Sequence, residues 1–249
     1  MQAPPFLAYY GVLSANTSLI QEAYDQIRLY RLYLQPNGTG LWSHIILGAS
    51  PDSGQWLTGN GWAAAGILRV YATIVNSPYA SQFATQSADL ASWSANIVES
   101  AFAAQSSNSS FLPNYANTTR NFPDAASTAL LAGCAYRLAQ YGIDRSTLSQ
   151  AETARQAVYA GLDDNGVLSP VCDPATQTQE LAAGEVSPEA EAFVLLMEAA
   201  YRDFVATNDG NVTTADSPKV GAAGRPGMGC GLGWVAAVAA AVVGAGLLV

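Results

Sequence analysis

Between Leu41 and Trp62 the sequence reads LWSHIILGASPDSGQWLTGNGW, a stretch that holds three of the five tryptophans and the only histidine, His44. Trp42, Trp56 and Trp62 offer apolar ring faces of the kind that stack on the C–H surface of a sugar. Asn60 and His44 offer donors and acceptors for hydroxyl groups. The stretch is rich in turn-forming Gly, Pro, Asp and Asn and opens into an apolar helix that the pattern starts near Gly61. Aromatics and amides beside a helix N-terminus suit carbohydrate; the competing reading is that the same tryptophans pack a core or a rim. Two carboxylates invite comparison with acid–base chemistry. Asp52 reads as an exposed Pro-Asp-Ser turn residue. Asp124 opens a later helix and reads as its N-cap. A glycosidase pair needs two carboxyls at a set separation, and no paired-Asp motif stands in the chain.

Holding such a loop requires a scaffold, and the apolar pattern describes one. Pro4–Leu13 reads as a short apolar helix. Residues 18–34 are amphipathic, with Ser18 and Gln21 spaced as a capping box and Ile20, Ala23, Tyr24 and Ile27 on one face. Gly61–Ile74 is apolar nearly all round, and Ser81–Gln105 carries Leu90, Trp93, Ile97 and Ala101 on one face. A second aromatic loop, SSFLPNYANTTRNFPD, leads to an apolar helix at Asp124–Tyr141, then an amphipathic one at Ser146–Leu162. A third loop precedes the apolar helix Pro188–Ala206, where proline suits the first turn. Apolar helices thus recur roughly every 63 residues, the mark of a repeated supersecondary unit. An inner helix packed on all sides and an outer helix with one wet face make an α-hairpin. Hairpins repeated around a ring make an all-α (α/α) toroid, and the alternative is an open α-solenoid. The count is about four inner and three outer helices, so a six-hairpin ring would need about two more hairpins, which would precede Met1. Because each long aromatic loop precedes an inner helix, the loops should gather on one rim.

Composition narrows the function. The net charge is −9 and no basic block occurs, which argues against nucleic acid and against an anionic membrane surface as partner. Cys134, Cys172 and Cys230 include no Cys-x-x-Cys pair, and with one histidine no metal site or cofactor is called for. Cys134–Cys172 is one conceivable disulfide; pairing is not fixed by sequence. Asn-x-Ser/Thr sequons at Asn16, Asn37, Asn108, Asn117 and Asn211 favour a secreted glycoprotein.

The chain divides into a helical domain at 1–206, a linker at 207–233 and an apolar tail at 234–249. Small residues at Gly221-Ala222-Ala223, a spacer of about ten residues and the uninterrupted apolar run Trp234–Val249 match a GPI-attachment signal, with Gly221 or Ala222 as attachment residue. A tail transmembrane helix is the rival. An extracellular or cell-surface location follows, with a C-terminal lipid anchor to the membrane. The N-terminal segment MQAPPFLAYYGVLS has no basic n-region or long h-region, so the expectation is a natural protein that extends upstream of Met1.

The segments PPFLAYYG, LWSH, GQWLTGNGW and NFPDAASTALLAGCAYRL, in that order, resemble the six-hairpin glycosidases. The resemblance is strongest to glycoside hydrolase family 105, the unsaturated rhamnogalacturonyl hydrolases, in their fungal form, over roughly residues 3–205. It implies an (α/α)6 barrel that removes a Δ4,5-unsaturated uronic acid from pectin fragments. An Asp protonates the double bond and assists water addition at C5, and the resulting hemiketal opens. By resemblance, His44 is the active-site histidine, Trp42 stands beside it, and Trp56 and Trp62 line the sugar pocket. Asn60 and Gly61 form the GN-G segment, in which Asn60 also reads as an N-cap. Thr58 stands where many members carry Arg, a departure that bears on recognition of an anionic group. The family's catalytic Asp lies just upstream of PPFLA, so this chain is expected to lack it and to turn substrate over negligibly. Two other functions fit parts of the pattern: a non-catalytic carbohydrate-binding or cell-wall protein, and an α-1,6-mannan-cleaving enzyme on the same toroid.

Overall fold

The computed structural model describes residues 3–36, 38–105, 109–118 and 121–207. The linker from 208 onward, the apolar tail, the attachment residues Gly221 and Ala222, and the sequons at Asn37, Asn108 and Asn211 lie outside these residues. Seven helices run through the described part: α1 (Ala3–Leu13), α2 (Thr17–Leu34), α3 (Leu57–Val75), α4 (Ala84–Ala103), α5 (Ala125–Gln140), α6 (Leu148–Ala160) and α7 (Pro188–Thr207). Among these residues β-structure is limited to isolated bridges.

The helices alternate as the period predicts. α1, α3, α5 and α7 pack side by side in succession as inner helices. α2, α4 and α6 each pack back on the inner helix before them. α5 is the most enclosed, with nearly every residue from Ala125 to Ala139 buried. Its backbone runs close to α7: a Cβ on Gly133 would stand 3.1 Å from Met197 Cα. α2 shows the outer pattern, burying only Ile20, Ala23 and Ile27. The described part is therefore three α-hairpins followed by a fourth inner helix.

Local details correct the sequence reading at several points. Asn16, not Ser18, caps α2, its side chain accepting the Ser18 N–H at 3.1 Å. α3 begins at Leu57 rather than near Gly61, so Asn60 is inside the helix and not its N-cap. Cys134 and Cys172 are both free and buried; they form no disulfide with each other. Burial pushes each thiol up to about 12, which keeps both protonated.

The edges of the helical array are apolar. On α1, Phe6 is 64% exposed and Leu13 68%, and on α7, Leu195 is 72% exposed. No described helix is long and apolar enough to cross a membrane.

Candidate functional site

The loops before α3, α5 and α7 lie side by side at one end of the inner helices, stitched by main-chain hydrogen bonds. Leu57 N–H donates to Asn114 O (2.9 Å) and Ala116 N–H to Gln55 O (3.0 Å), joining the first two loops. Ala125 N–H donates to Pro170 O at 2.8 Å, and the Asn114 side-chain amide donates to Gln177 O at 2.9 Å, tying the third loop to the second. The expected single rim of aromatic loops is thus present.

The sequence-selected residues separate into two groups. Trp42, Thr58 and Asn60 are buried, at 4%, 3% and 2% exposure. Asn60 accepts the Trp42 N–H at 2.7 Å and donates to Trp42 O at 3.0 Å and Trp56 O at 2.9 Å. It clasps the loop before α3 to that helix. Thr58 donates to Asp124 Oδ2 at 3.0 Å, so its hydroxyl is committed to the scaffold. These three hold the rim and present no side chain freely to a ligand.

His44, Trp56 and Trp62 form the second group, each partly exposed. His44 lies against Trp56 with ring centroids 4.8 Å apart. Trp56 Nε1–H donates to Asn114 Oδ1 at 3.0 Å, and Asn114 is fully buried, which fixes the indole. Trp62 sits in the second turn of α3, edge-on to Phe193, and its Nε1–H donates to Glu189 Oε1 at 2.9 Å. His44 and Trp56 thus form one accessible pair held by polar contacts, while Trp62 is accessible where α3 meets α7.

The carboxylates differ sharply. Asp124 is fully buried and accepts four hydrogen bonds: from Ala126 N (3.3 Å) and Cys172 N (3.0 Å) at Oδ1, and from Ser127 N (2.9 Å) and Thr58 at Oδ2. It is the cap of α5, as read from sequence, and it also anchors the third loop. Asp52 is more than a turn residue. Oδ1 accepts the Gly54 N–H at 2.8 Å, the expected turn contact, while Oδ2 accepts Tyr115 Oη–H at 2.7 Å and lies 3.1 Å from His44 Nδ1. Burial acts to raise the Asp52 carboxyl, but hydrogen bonds from Tyr115, the Gly54 N–H and His44 outweigh it and hold the group below its ordinary value. Burial, then the bond to Asp52, drives the Tyr115 phenol up. Among the described residues no group of three or more His, Cys, Asp or Glu is gathered as a metal site.

Tyr115, Asn114 and Glu189 complete the site and carry no local motif. Tyr115 is 71 residues from His44 in sequence. Its only sequence signal is membership of the second aromatic loop. Glu189 shows only as an acid in the first turn of an inner helix.

No protein-family model matches the chain, and no curated protein does. Solved structures do. A possible member of the GH105 family from Salmonella enterica serovar Paratyphi A superposes with a TM-score of 0.67 at 18% identity, covering 78% of this chain and 53% of that one. A glycosyl hydrolase family 88 protein from Bacteroides vulgatus gives 0.67 at 13% identity, covering 81% and 60%. The unsaturated glucuronyl hydrolase of Bacillus sp. GL1, responsible for the degradation of glycosaminoglycan, gives 0.58 at 16%, covering 80% and 56%. The fold is that of the six-hairpin glycosidases, an (α/α)6 toroid of which the described residues supply four inner and three outer helices. The chain spans about half the length of the structures it matches. At these identities the likeness establishes the fold.

Proposed function

We propose that this chain is a glycoside hydrolase-like protein that binds unsaturated uronyl oligosaccharides of the kind lyases release from rhamnogalacturonan. The observation that carries the reading is the exposed group at the rim. His44 against Trp56, together with the partly exposed Trp62 six residues further along, offers aromatic faces for a flattened Δ4,5-unsaturated ring and one polar ring to meet its hydroxyl or carboxylate. With Thr58 buried where the resembled family carries Arg, His44 is the group left for the anionic end.

Hydration of the 4,5 double bond needs a proton donor, and the three carboxylates in contact with the aromatic and Thr58 side chains already accept hydrogen bonds. Asp124 is sealed under four hydrogen bonds, Asp52 is held by Tyr115 and His44, and Glu189 accepts from Trp62. A positioned acid contributes about a hundred- to ten-thousand-fold in rate, so the 249-residue chain should turn the unsaturated disaccharide over slowly or not at all. The assay is loss of the conjugated-alkene absorbance. Robust turnover would overturn this reading of the carboxylates and shift attention to Asp52 or Glu189. The alternative, a non-catalytic carbohydrate-binding wall protein, uses the same aromatic residues and predicts equal binding of saturated and unsaturated oligosaccharides.

The location follows as part of the same reading: a secreted glycoprotein with a C-terminal lipid anchor. Asn16 and Asn117 are both exposed, which supports their use as glycan acceptors. Each uses its side-chain oxygen as an acceptor, to Ser18 N–H and Gln55 N–H respectively, leaving the nitrogen for the sugar. Phospholipase release from cells tests the anchor, and recovery of Trp234–Val249 peptides in the mature protein would contradict it.

A further inference from the structure

Three groups meet at the edge of the candidate site. His44 Nδ1 lies 3.1 Å from Asp52 Oδ2 and 3.1 Å from Tyr115 Oη, and Tyr115 Oη lies 2.7 Å from Asp52 Oδ2. The phenol has one proton, and its short contact is to the carboxylate, the stronger acceptor. With that proton placed on Asp52, the side of the imidazole facing Asp52 and Tyr115 meets only oxygen lone pairs. Nδ1 then makes a favourable contact only as a donor. Nε2 makes no hydrogen bond among the described residues, and the ring is partly exposed.

We infer that Asp52 and Tyr115 are positioning residues that lock His44 in the Nδ1–H tautomer and leave the Nε2 lone pair as an acceptor for a ligand. A carboxylate behind one ring nitrogen decides what the other nitrogen can do. The support is layered. Asp52 is oriented by the Gly54 N–H at 2.8 Å, and the main chains of Ile45 and Asp52 pair in both directions at 2.7 and 2.8 Å, so the loop carrying acid and imidazole is a closed unit. Tyr115 is buried and comes from the loop before α5, so the arrangement exists only when the two loops are joined. A Cβ on Gly54 would stand 2.7 Å from the Tyr115 ring, so a side chain there would push the phenol away. Trp56 lies against the imidazole, the two rings inclined at 47°. From α2, the phenols of Tyr30 and Tyr33 line the groove that His44 borders, and neither is a carboxylate competing for Nδ1.

That Nε2 addresses a uronide hydroxyl rests on the function proposed above; the tautomer does not. Since His44 is the only histidine, a long-range 1H–15N correlation spectrum of the uniformly labelled 249-residue chain reports this one ring. At a pH where the ring is neutral, the expected result is a protonated Nδ1 and an unprotonated Nε2. Asp52→Asn should convert the ring to the Nε2–H form or to a mixture. Tyr115→Phe should keep Nδ1–H, because the carboxylate remains. An Nε2–H ring in the unsubstituted chain overturns the inference outright, whether or not any variant folds. A tautomer unchanged in a folded Asp52→Asn chain overturns it as well. Titration with the unsaturated uronyl disaccharide separates the two readings. Nδ1–H with about tenfold weaker binding in Asp52→Asn, the loss of one hydrogen bond, supports both. Nδ1–H without any binding supports the positioning unit and counts against the substrate.

Discussion

Asp124 and Asp52 both lie in the loops that precede inner helices, yet their surroundings assign them different work. Asp124 has no free oxygen, so removing its carboxylate strips a helix cap and orphans the Thr58 hydroxyl and the Cys172 N–H. Asp124→Ala should therefore lower stability by roughly 2–4 kcal/mol, read as a shift in urea midpoint. A change below about 0.5 kcal/mol would mean that the cap is replaced by solvent. Asp124 was legible in the sequence because capping is a local matter: a short acceptor directly before an apolar run. The partnership of Asp52 was not, because Tyr115 comes from another loop and nothing in its neighbours marks it. Thr58 and Asn60 were selected for their place in a motif, and folding turned both inward. Spacing showed that they lie near the rim but not which way they face.

At the scale of elements, α6 is fastened by a polar cluster. Arg155 grips Glu152 through Nε at 3.0 Å and Nη2 at 2.8 Å, Tyr136 of α5 donates to Glu152 Oε2 at 2.8 Å, and the Arg155 guanidinium lies 3.9 Å over the Tyr201 ring of α7. Burial tends to raise the Glu152 carboxyl, but the bonds from Arg155 and Tyr136 prevail and leave it below its ordinary value. A carboxyl lowered in the folded state stabilises fully above its unfolded value, near pH 4.3, and that stability is lost as pH falls through the folded value. Glu152→Gln should thus be destabilising at pH 7, with the difference narrowing in acid. Parallel urea melts at pH 7 and pH 3 check this, and an equal difference at both would contradict it. The start of α3 shows why an element boundary escaped the sequence. Its first N–H, at Leu57, is satisfied by Asn114 O from the neighbouring loop and not by a local cap. Gly61, inside α3, is a packing device: a Cβ there would meet the Leu130 side chain at 2.8 Å.

Over the whole molecule, the repeat was the most legible feature, because a roughly 63-residue period forces neighbouring hairpins to bury each other's faces. The same geometry leaves apolar residues on the outermost helices with water as their neighbour. A leucine kept exposed forgoes roughly 1.5–3 kcal/mol of burial. The described edges carry several such residues, Phe6, Leu13 and Leu195 among them. The chain should accordingly bind a hydrophobic reporter dye, and Leu13→Lys with Leu195→Lys should reduce that binding while moving stability by no more than about 0.5 kcal/mol. No dye binding by the unsubstituted chain would show these edges covered in solution.

The central claim is that the rim group of His44, Trp56 and Trp62 takes an unsaturated uronide. Tryptophan fluorescence of the 249-residue chain, titrated in parallel with the Δ4,5-unsaturated uronyl disaccharide and its saturated counterpart, tests it most directly. The account predicts a saturable change with tighter binding of the unsaturated sugar, weakened about tenfold or more in both Trp62→Ala and His44→Ala chains that keep their helical circular dichroism. No saturable change in the folded chain, or equal binding of both sugars unaffected by either substitution, would contradict it.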